Sequence, residues 1–427
     1  KTEGAAVWYI PSNGNENDVV SLLKLRASWG RVGNLGSIGY NYRSALLSKN
    51  SWQEQAQYGV EKNKLWDTFI YNSIALNNNL TWETSEQFDL GLDINMFNDR
   101  LAMQFDWFEK RTFDLIQTQS MNWPGSIGLD PMLINQGEVR NRGIELSLNW
   151  NDRIGKDFNY YVNLNGSYNK NKVGNIPNED GVIHGEGGSV LYDNSGEFYR
   201  ASNGEPIGYF WGFKTAGVFQ NKQEIDEWIA AGNGVLQSSP QPGDVKYYDI
   251  DHNGVINDAD KVNLGNGMPD FNFGFSLGFD YKGLDFSVTA NAQTGNKIVQ
   301  SYRNMTSTQA NYTTRILGRW TGEGTSNSIP RVTNTNINYQ FSDLFIQDGD
   351  FLRISNITLG YDFAKLLKSK YVSQCRVYAQ VQNAFTFTKY DGMDPEIGYG
   401  NSGWVSGVDY GYYPRPRTFL FGVNMKF

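Results

Sequence analysis

The stretch DIDHNGVINDAD, residues 249–260, has oxygen-bearing residues at the spacing needed to wrap a hard divalent cation. Asp249, Asp251 and Asn253 stand at positions one, three and five of an EF-hand-like loop, Val255 offers its carbonyl at seven, and Asn257 and Asp260 sit at nine and twelve. Gly254 at six supplies the sharp turn such a loop needs. Asp in place of Glu at twelve has a shorter reach, which weakens bidentate ligation and predicts weaker binding; outside the cell, even a site with a dissociation constant of roughly 10⁻⁴–10⁻³ M is occupied. A structural ion that fixes a long connection is the role this chemistry predicts. The same residues also suit an Asx-rich turn that holds no ion.

Other chemistry is poorly supported. His184 and His252 are the only histidines, and neither has metal-ligand spacing or a Ser and Asp partner placed by a motif. GEGG at 185–188 lacks the strand-to-helix setting of a phosphate cradle, and no motif positions two carboxylates as acid and base. EIDEWIAAG at 224–232 reads as a short helix within a loop. The reading is therefore that the chain is not an enzyme. Aromatic residues in presumed loops, Trp123, Tyr192, Tyr199, Tyr312, Trp404, Tyr410, Tyr412 and Tyr413, are candidates for stacking on sugar rings. Their alternative is an aromatic girdle or contacts to a partner.

These residues need a scaffold, and composition bounds it. Among 427 residues only 39 % are apolar, yet 15 % are aromatic, and no run of about eighteen apolar residues predicts a membrane-spanning helix. A β-barrel with a lipid face, a wet interior and polar loops has this composition. The net charge of −8 argues against nucleic acid as a partner. Cys375 is the only cysteine, so no internal disulfide forms. The chain begins on Lys1 with no initiator Met or secretory signal, as expected of a mature segment or a fragment.

Alternation supplies the strands. Leu23, Leu25, Ala27 and Trp29 alternate with Lys24, Arg26, Ser28 and Gly30; Phe88, Leu90, Leu92, Ile94 and Met96 oppose Gln87, Asp89, Gly91, Asp93 and Asn95. Period two puts the two sets on opposite faces. Inward Asp89, Asp93, Asp285 and Gln293 would be intolerable in a dry core and suit a solvated lumen or contact with a plug. After the FNDR turn, Leu101, Met103, Phe105 and Trp107 return as the second strand of that first hairpin, and further hairpins follow at 144–168, 271–292 and 351–381, the phase slipping near Ser355, where a bulge is expected. Tyr40–Leu47 is a further candidate strand. The last strand, Phe419–Phe427, is apolar at every second residue and resembles the closing strand of bacterial outer-membrane β-barrels, a resemblance that implies Phe427 as the barrel-assembly signal. Ten strands are clear on this reading, with two to four more expected.

Turns around 97–100, 151–157, 280–283 and 362–373 are short, whereas the connections near 114–141, 170–270, 297–350 and 389–414 are long. This strict alternation predicts a transmembrane up-and-down antiparallel β-barrel, with periplasmic turns at one end and long extracellular loops at the other. The calcium-type loop, within 244–266, falls on the extracellular side.

The chain resembles the C-terminal part of SusC/RagA-family TonB-linked outer-membrane transporters. The matching stretches are LKLRASWGRVGN at 23–34, LTWETSEQFDLGLD at 80–93, INQGEVRNRGIELSL at 134–148, the run from Gly243 to Ser287, FLRISNITLGYDF at 351–363 and VQNAFTFTKYDGMDPEIG at 381–398. The resemblance implies a bacterial outer-membrane, multi-pass protein importing an oligosaccharide, or in some members a peptide. It also implies a SusD-like surface lipoprotein as lid and energy from TonB–ExbB–ExbD, engaged through a segment not in this chain. A barrel of this kind has about 22 strands around a plug. The family's plug, TonB box and amino-terminal domain lie upstream of these stretches and are not visible before Lys1, so residues 1–427 are expected to be the C-terminal part of one barrel domain. Two other classes remain open from sequence: a plugless barrel acting as a surface binding or adhesion protein, and a secreted, calcium-loaded carbohydrate-binding protein or outer-membrane hydrolase.

Overall fold

Eleven strands, each paired antiparallel with its neighbour in sequence, form one sheet in the computed structural model. They are β1 (Thr2–Pro11), β2 (Val20–Asn34), β3 (Glu83–Met96), β4 (Leu101–Phe113), β5 (Glu138–Ile154), β6 (Phe158–Gly174), β7 (Phe271–Tyr281), β8 (Leu284–Thr294), β9 (Phe351–Asp362), β10 (Gln374–Thr388) and β11 (Thr418–Lys426). The structure describes residues 2–11, 19–34, 46–47, 58–61, 64–66, 71–72, 77, 79–118, 133–176, 180–185, 196–302, 311–333, 336–367, 371–397 and 404–427. No helix among them is long and apolar enough to cross a membrane.

Local chemistry sets the short ends. Tyr281 pairs with Leu284 across Lys282 and Gly283, both with positive φ (51° and 100°), the conformation whose twist suits a two-residue hairpin. Register then fixes the faces. Leu25, Leu90, Phe273 and Phe421 share the outward side and are 50 %, 45 %, 47 % and 82 % exposed, a surface that only lipid can cover. The expected bulge is present, since the register of β9 shifts between Ile354 and Asn356 against both neighbours.

On the inward side the acidic residues are neutralised by neighbouring strands. Asp93 on β3 accepts from Arg26 of β2 at 2.7 Å and pairs with Lys24 at 3.1 Å, while Arg26 also reaches Asp106 of β4 at 2.9 Å. Asp285 on β8 pairs with Arg376 of β10 at 2.5 Å, and Asp89 accepts from Ser28 and Gln87. Asp93 is only 8 % exposed. The lumen wall is thus an internally paired polar surface.

The described sheet adds one strand to the ten that are clear in sequence, because Thr2–Pro11 pairs along its length with β2. Of the candidate strand Tyr40–Leu47, residues 40–45 lie outside the described residues, and Leu46 and Leu47 form a short ladder with Tyr71–Asn72.

Most of the buried core lies in the long connections, with Val173, Phe351 and Ala384 added from the barrel strands. Phe198, Tyr199, Phe210, Val299, Phe341, Val405 and Val408, drawn from three of these connections, form one cluster; Phe213, Val245, Tyr247 and Ile256 form another. Small sheets stitch the segments together, among them Tyr209–Phe213 with Lys261–Asn266, and Lys297–Gln300 between Ile346–Asp348 and Val408–Asp409. The helix expected at 224–232 is α1, Lys222–Ala230. Asn221 caps it by accepting from the Glu224 amide, and Gly232 at φ 84° follows its end.

Candidate functional site

The 249–260 loop leaves Val245–Tyr247 and runs into Lys261–Asn266. Asp249, Asp251 and Asp260 converge, with one carboxylate oxygen of each within 4.8 Å of the others. A calcium shell with oxygens at 2.3–2.6 Å spans about 5 Å, so these three positions of the twelve can share one ion. The remaining proposed ligands are held by turns. Asn253 Oδ1 accepts from the Val255 amide at 2.8 Å, Asn257 Oδ1 accepts from the Ala259 amide at 2.8 Å, and the Val255 carbonyl accepts from Asn257 Nδ2 at 3.4 Å. Asn257 also caps the short 3₁₀ turn Asp258–Asp260.

Two of the carboxylates are also part of the fold. Buried Asp260 accepts from the amides of Ile250 and Asn257, each at 2.8 Å. Asp249 accepts from the Gly254 amide at 2.7 Å and the Asn253 amide at 3.1 Å. Burial pushes the Asp249 carboxyl up, but the main-chain hydrogen bonds from Gly254, Asn253 and His252 help to outweigh it, and the group stays below the usual carboxylate range. Gly254 has φ 82°, as the sharp turn requires, and His252 lies at φ 60°. Ile256 is 5 % exposed and inserts into the cluster of Phe213, Val245 and Tyr247, so the loop is docked on the connection core. The hard oxygen donor set fits calcium, and its three charges favour a divalent ion.

The aromatic candidates divide by environment. Tyr199 is 1 % exposed and packs edge-to-face against Trp404 at 4.5 Å, and Tyr410 lies against the same cluster. These three serve packing. Tyr412 and Tyr413 are 47 % and 89 % exposed, and Tyr312 lines a cleft of about 110 Å³ with Tyr302, Arg315 and Tyr339. Trp123 and Tyr192 lie outside the described residues.

Sequence reasoning missed the group that fixes the backbone at Tyr412. Asp409, 1 % exposed, takes hydrogen bonds from the Tyr302 and Tyr390 hydroxyls, both at 2.6 Å, and from the amides of Gly411 and Tyr412 at 2.9 and 3.2 Å. Burial, then the bond to Asp409, pushes the Tyr390 phenol up. Arg353 at the loop end of β9, 3 % exposed, pairs with Asp394 at 2.5 Å and Glu396 at 2.9 Å. The 389–417 connection is thus tied to the barrel through a buried charge. Only contacts across the fold reveal either cluster. Phe427, 84 % exposed, follows the end of β11.

Known proteins match along the chain. The TonB-dependent receptor P3 of Formosa agariphila is 31 % identical over 433 residues, covering 99 % of this chain and 41 % of that protein. The TonB-dependent receptor SusC of Bacteroides thetaiotaomicron is 30 % identical over 421 residues, covering 96 % of this chain and 38 % of its own length. The chain therefore spans about two fifths of these curated relatives. Among solved structures, the RagAB peptide importer in its open-open state superimposes with a TM-score of 0.76 at 22 % identity, over 100 % of this chain and 42 % of that one, a likeness of fold. The family described as TonB dependent receptor-like, beta-barrel matches residues 9–243. With an apolar outward face, a paired polar lumen wall and every long connection at one end, the chain belongs to this family of outer-membrane β-barrels.

Proposed function

We propose that the chain forms part of the barrel and most of the extracellular connection core of a SusC-like, TonB-dependent importer, taking up an oligosaccharide or a peptide together with a SusD-like surface lipoprotein. The observation that carries this reading is the packing of three long connections into one buried core at a single end of the sheet. Such a core gives a lid protein and a solute a rigid rim to dock against. A loose adhesion loop has no need of it. The relatives named TonB-dependent receptors support energised transport, and the choice of oligosaccharide or peptide rests on the sequence resemblance. Calcium at Asp249, Asp251 and Asp260, with Asn253, Val255 and Asn257 completing the wrap, would fix the connection between α1 and Lys261–Asn266. Tyr412, whose amide is held by Asp409, and the exposed Tyr413 beside it are the strongest stacking candidates for a solute.

The test is uptake by cells lacking the gene, together with identification of what co-purifies with the detergent-extracted whole protein. Loss of growth on an oligosaccharide or peptide mixture, with a surface lipoprotein retained on the barrel, is the expected result. Normal uptake and no bound lipoprotein would instead leave a surface-binding barrel.

A further inference from the structure

Above its apolar band, the outward face changes character within one ladder step. Ala27, Leu90, Trp107, Ile144, Tyr168 and Phe271 lie in one outward row across β2 to β7. The next row toward the long connections reads Trp29, Phe88, Glu109, Arg142 and Lys170, and the one after it Arg31, Glu86, Arg111, Arg140 and Lys172. Each step is two residues, about 7 Å along a strand and, at a tilt of about 40°, about 5 Å in height. The charges therefore begin at headgroup level, immediately above Trp107 and Tyr168. Six of these ten side chains are cationic and two are carboxylates, on a protein whose net charge is −8.

The block on β5 and β6 is the unusual part. Arg142 stands directly opposite Lys170, and Arg140 directly opposite Lys172. Like charges in facing positions destabilise a ladder, and here two such pairs are stacked on the same face. Arg140 has neighbouring carboxylates, Glu138 at 3.3 Å and Glu109 at 3.8 Å, and Arg111 pairs with the same Glu138. Arg142 lies over the Trp107 ring at 5.4 Å, and among the described residues Arg142, Lys170 and Lys172 have no carboxylate partner. All three are exposed.

The geometry points to a binding site for the phosphate headgroup of an outer-leaflet lipid, formed by Arg140, Arg142, Lys170 and Lys172, with the acyl chains lying on the Ile144, Leu146 and Leu164 face below. Continuity with the lipid-facing surface selects a membrane-anchored phosphate over a soluble one. Arg142, Lys170 and Lys172, in facing and adjacent ladder positions beside Arg140, relieve their repulsion when an anion sits between them. The aromatic row at Trp107 and Tyr168 marks the depth at which the headgroup lies.

The experiment uses the whole protein in detergent, with bisphosphorylated lipid A and its dephosphorylated form as probes and bound lipid counted by native mass spectrometry. The wild type is expected to prefer the bisphosphorylated lipid. The triple variant Arg142→Gln, Lys170→Gln, Lys172→Gln is expected to lose affinity for it on the order of 100-fold, at unchanged heat-modifiable mobility of the barrel. A Glu145→Gln control on the lumen face of β5 should leave lipid retention intact. Equal retention of both lipids, an unchanged triple variant, complete competition by millimolar inorganic phosphate, or loss of an acidic protein partner in place of lipid would each overturn the proposal. None of these readouts depends on the transported solute.

Discussion

At the residue scale, the three converging carboxylates of the 249–260 loop have unequal duties. Asp249 and Asp260 already accept main-chain amides and are buried, so replacing either removes fold as well as ligand. Asp251 is exposed, and its hydrogen bonds are confined to the loop. It is the cleaner probe. Asp251→Ala is expected to weaken calcium binding by about tenfold or more, since affinity in such loops follows ligand charge count. Asp258→Ala, whose carboxylate pairs with Lys261, should leave binding unchanged. Calorimetric calcium titration of the detergent-solubilised protein decides it: a wild type that takes up no calcium, or an Asp251 variant of equal affinity, removes the ion from the proposal. This loop was legible in sequence because all its donors lie within twelve residues. Tyr199 and Trp404 were not, because each is buried by the other from connections some two hundred residues apart.

At the scale of the strand, alternation was readable wherever an apolar set met a polar one, as in Phe88–Met96, and the slip near Ser355 was visible as a break in phase. β1 was not readable. Its Gly4, Ala5 and Ala6 blur the period, and pairing with β2 is what makes it a strand. The faces assigned by register carry a direct test on β5. Leu148 faces out beside Met103 and Leu164, while its neighbour Ser147 faces the lumen between Gln104 and Asn165. Leu148→Arg is expected to destabilise the barrel by about 2–4 kcal/mol, the cost of a cation near the bilayer midplane, whereas Ser147→Arg should be close to neutral. Denaturant titration of the protein folded into vesicles measures both. A reversed order would mean that the faces are assigned the wrong way round. In the same assay, deletion of Phe427 is expected to lower the assembled yield and leave the stability of the assembled fraction unaltered, as befits a terminal residue that lies beyond the last ladder pair.

At the scale of the whole molecule, two structures of different origin share one chain. The barrel wall is a ladder of long strands, β2 to β10 each held along its length by two neighbours and by lipid. The connection core is a small fold of apolar clusters, short sheets and buried polar hubs at Asp244 and Asp409, joined to the barrel end by Arg353 of β9. Its ordering entropy is offset by its own packing, by that buried ion pair and, on the reading proposed above, by calcium, whose contribution grows with the free ion concentration. These sources of stability are independent of the bilayer. Stepwise addition of urea to the vesicle-embedded protein is therefore expected to give two transitions: loss of amide-exchange protection in residues 196–270 first, and loss of heat-modifiable barrel mobility at higher denaturant. Chelating calcium should move the first transition to lower urea and leave the second in place. Arg353→Ala should act in the same direction with a larger shift, because removing one partner of a buried ion pair strands Asp394 and costs about 3–5 kcal/mol. Coincident transitions that shift together under chelation would show that the connections and the wall unfold as one cooperative unit, and that the core seen at the loop end has no stability of its own.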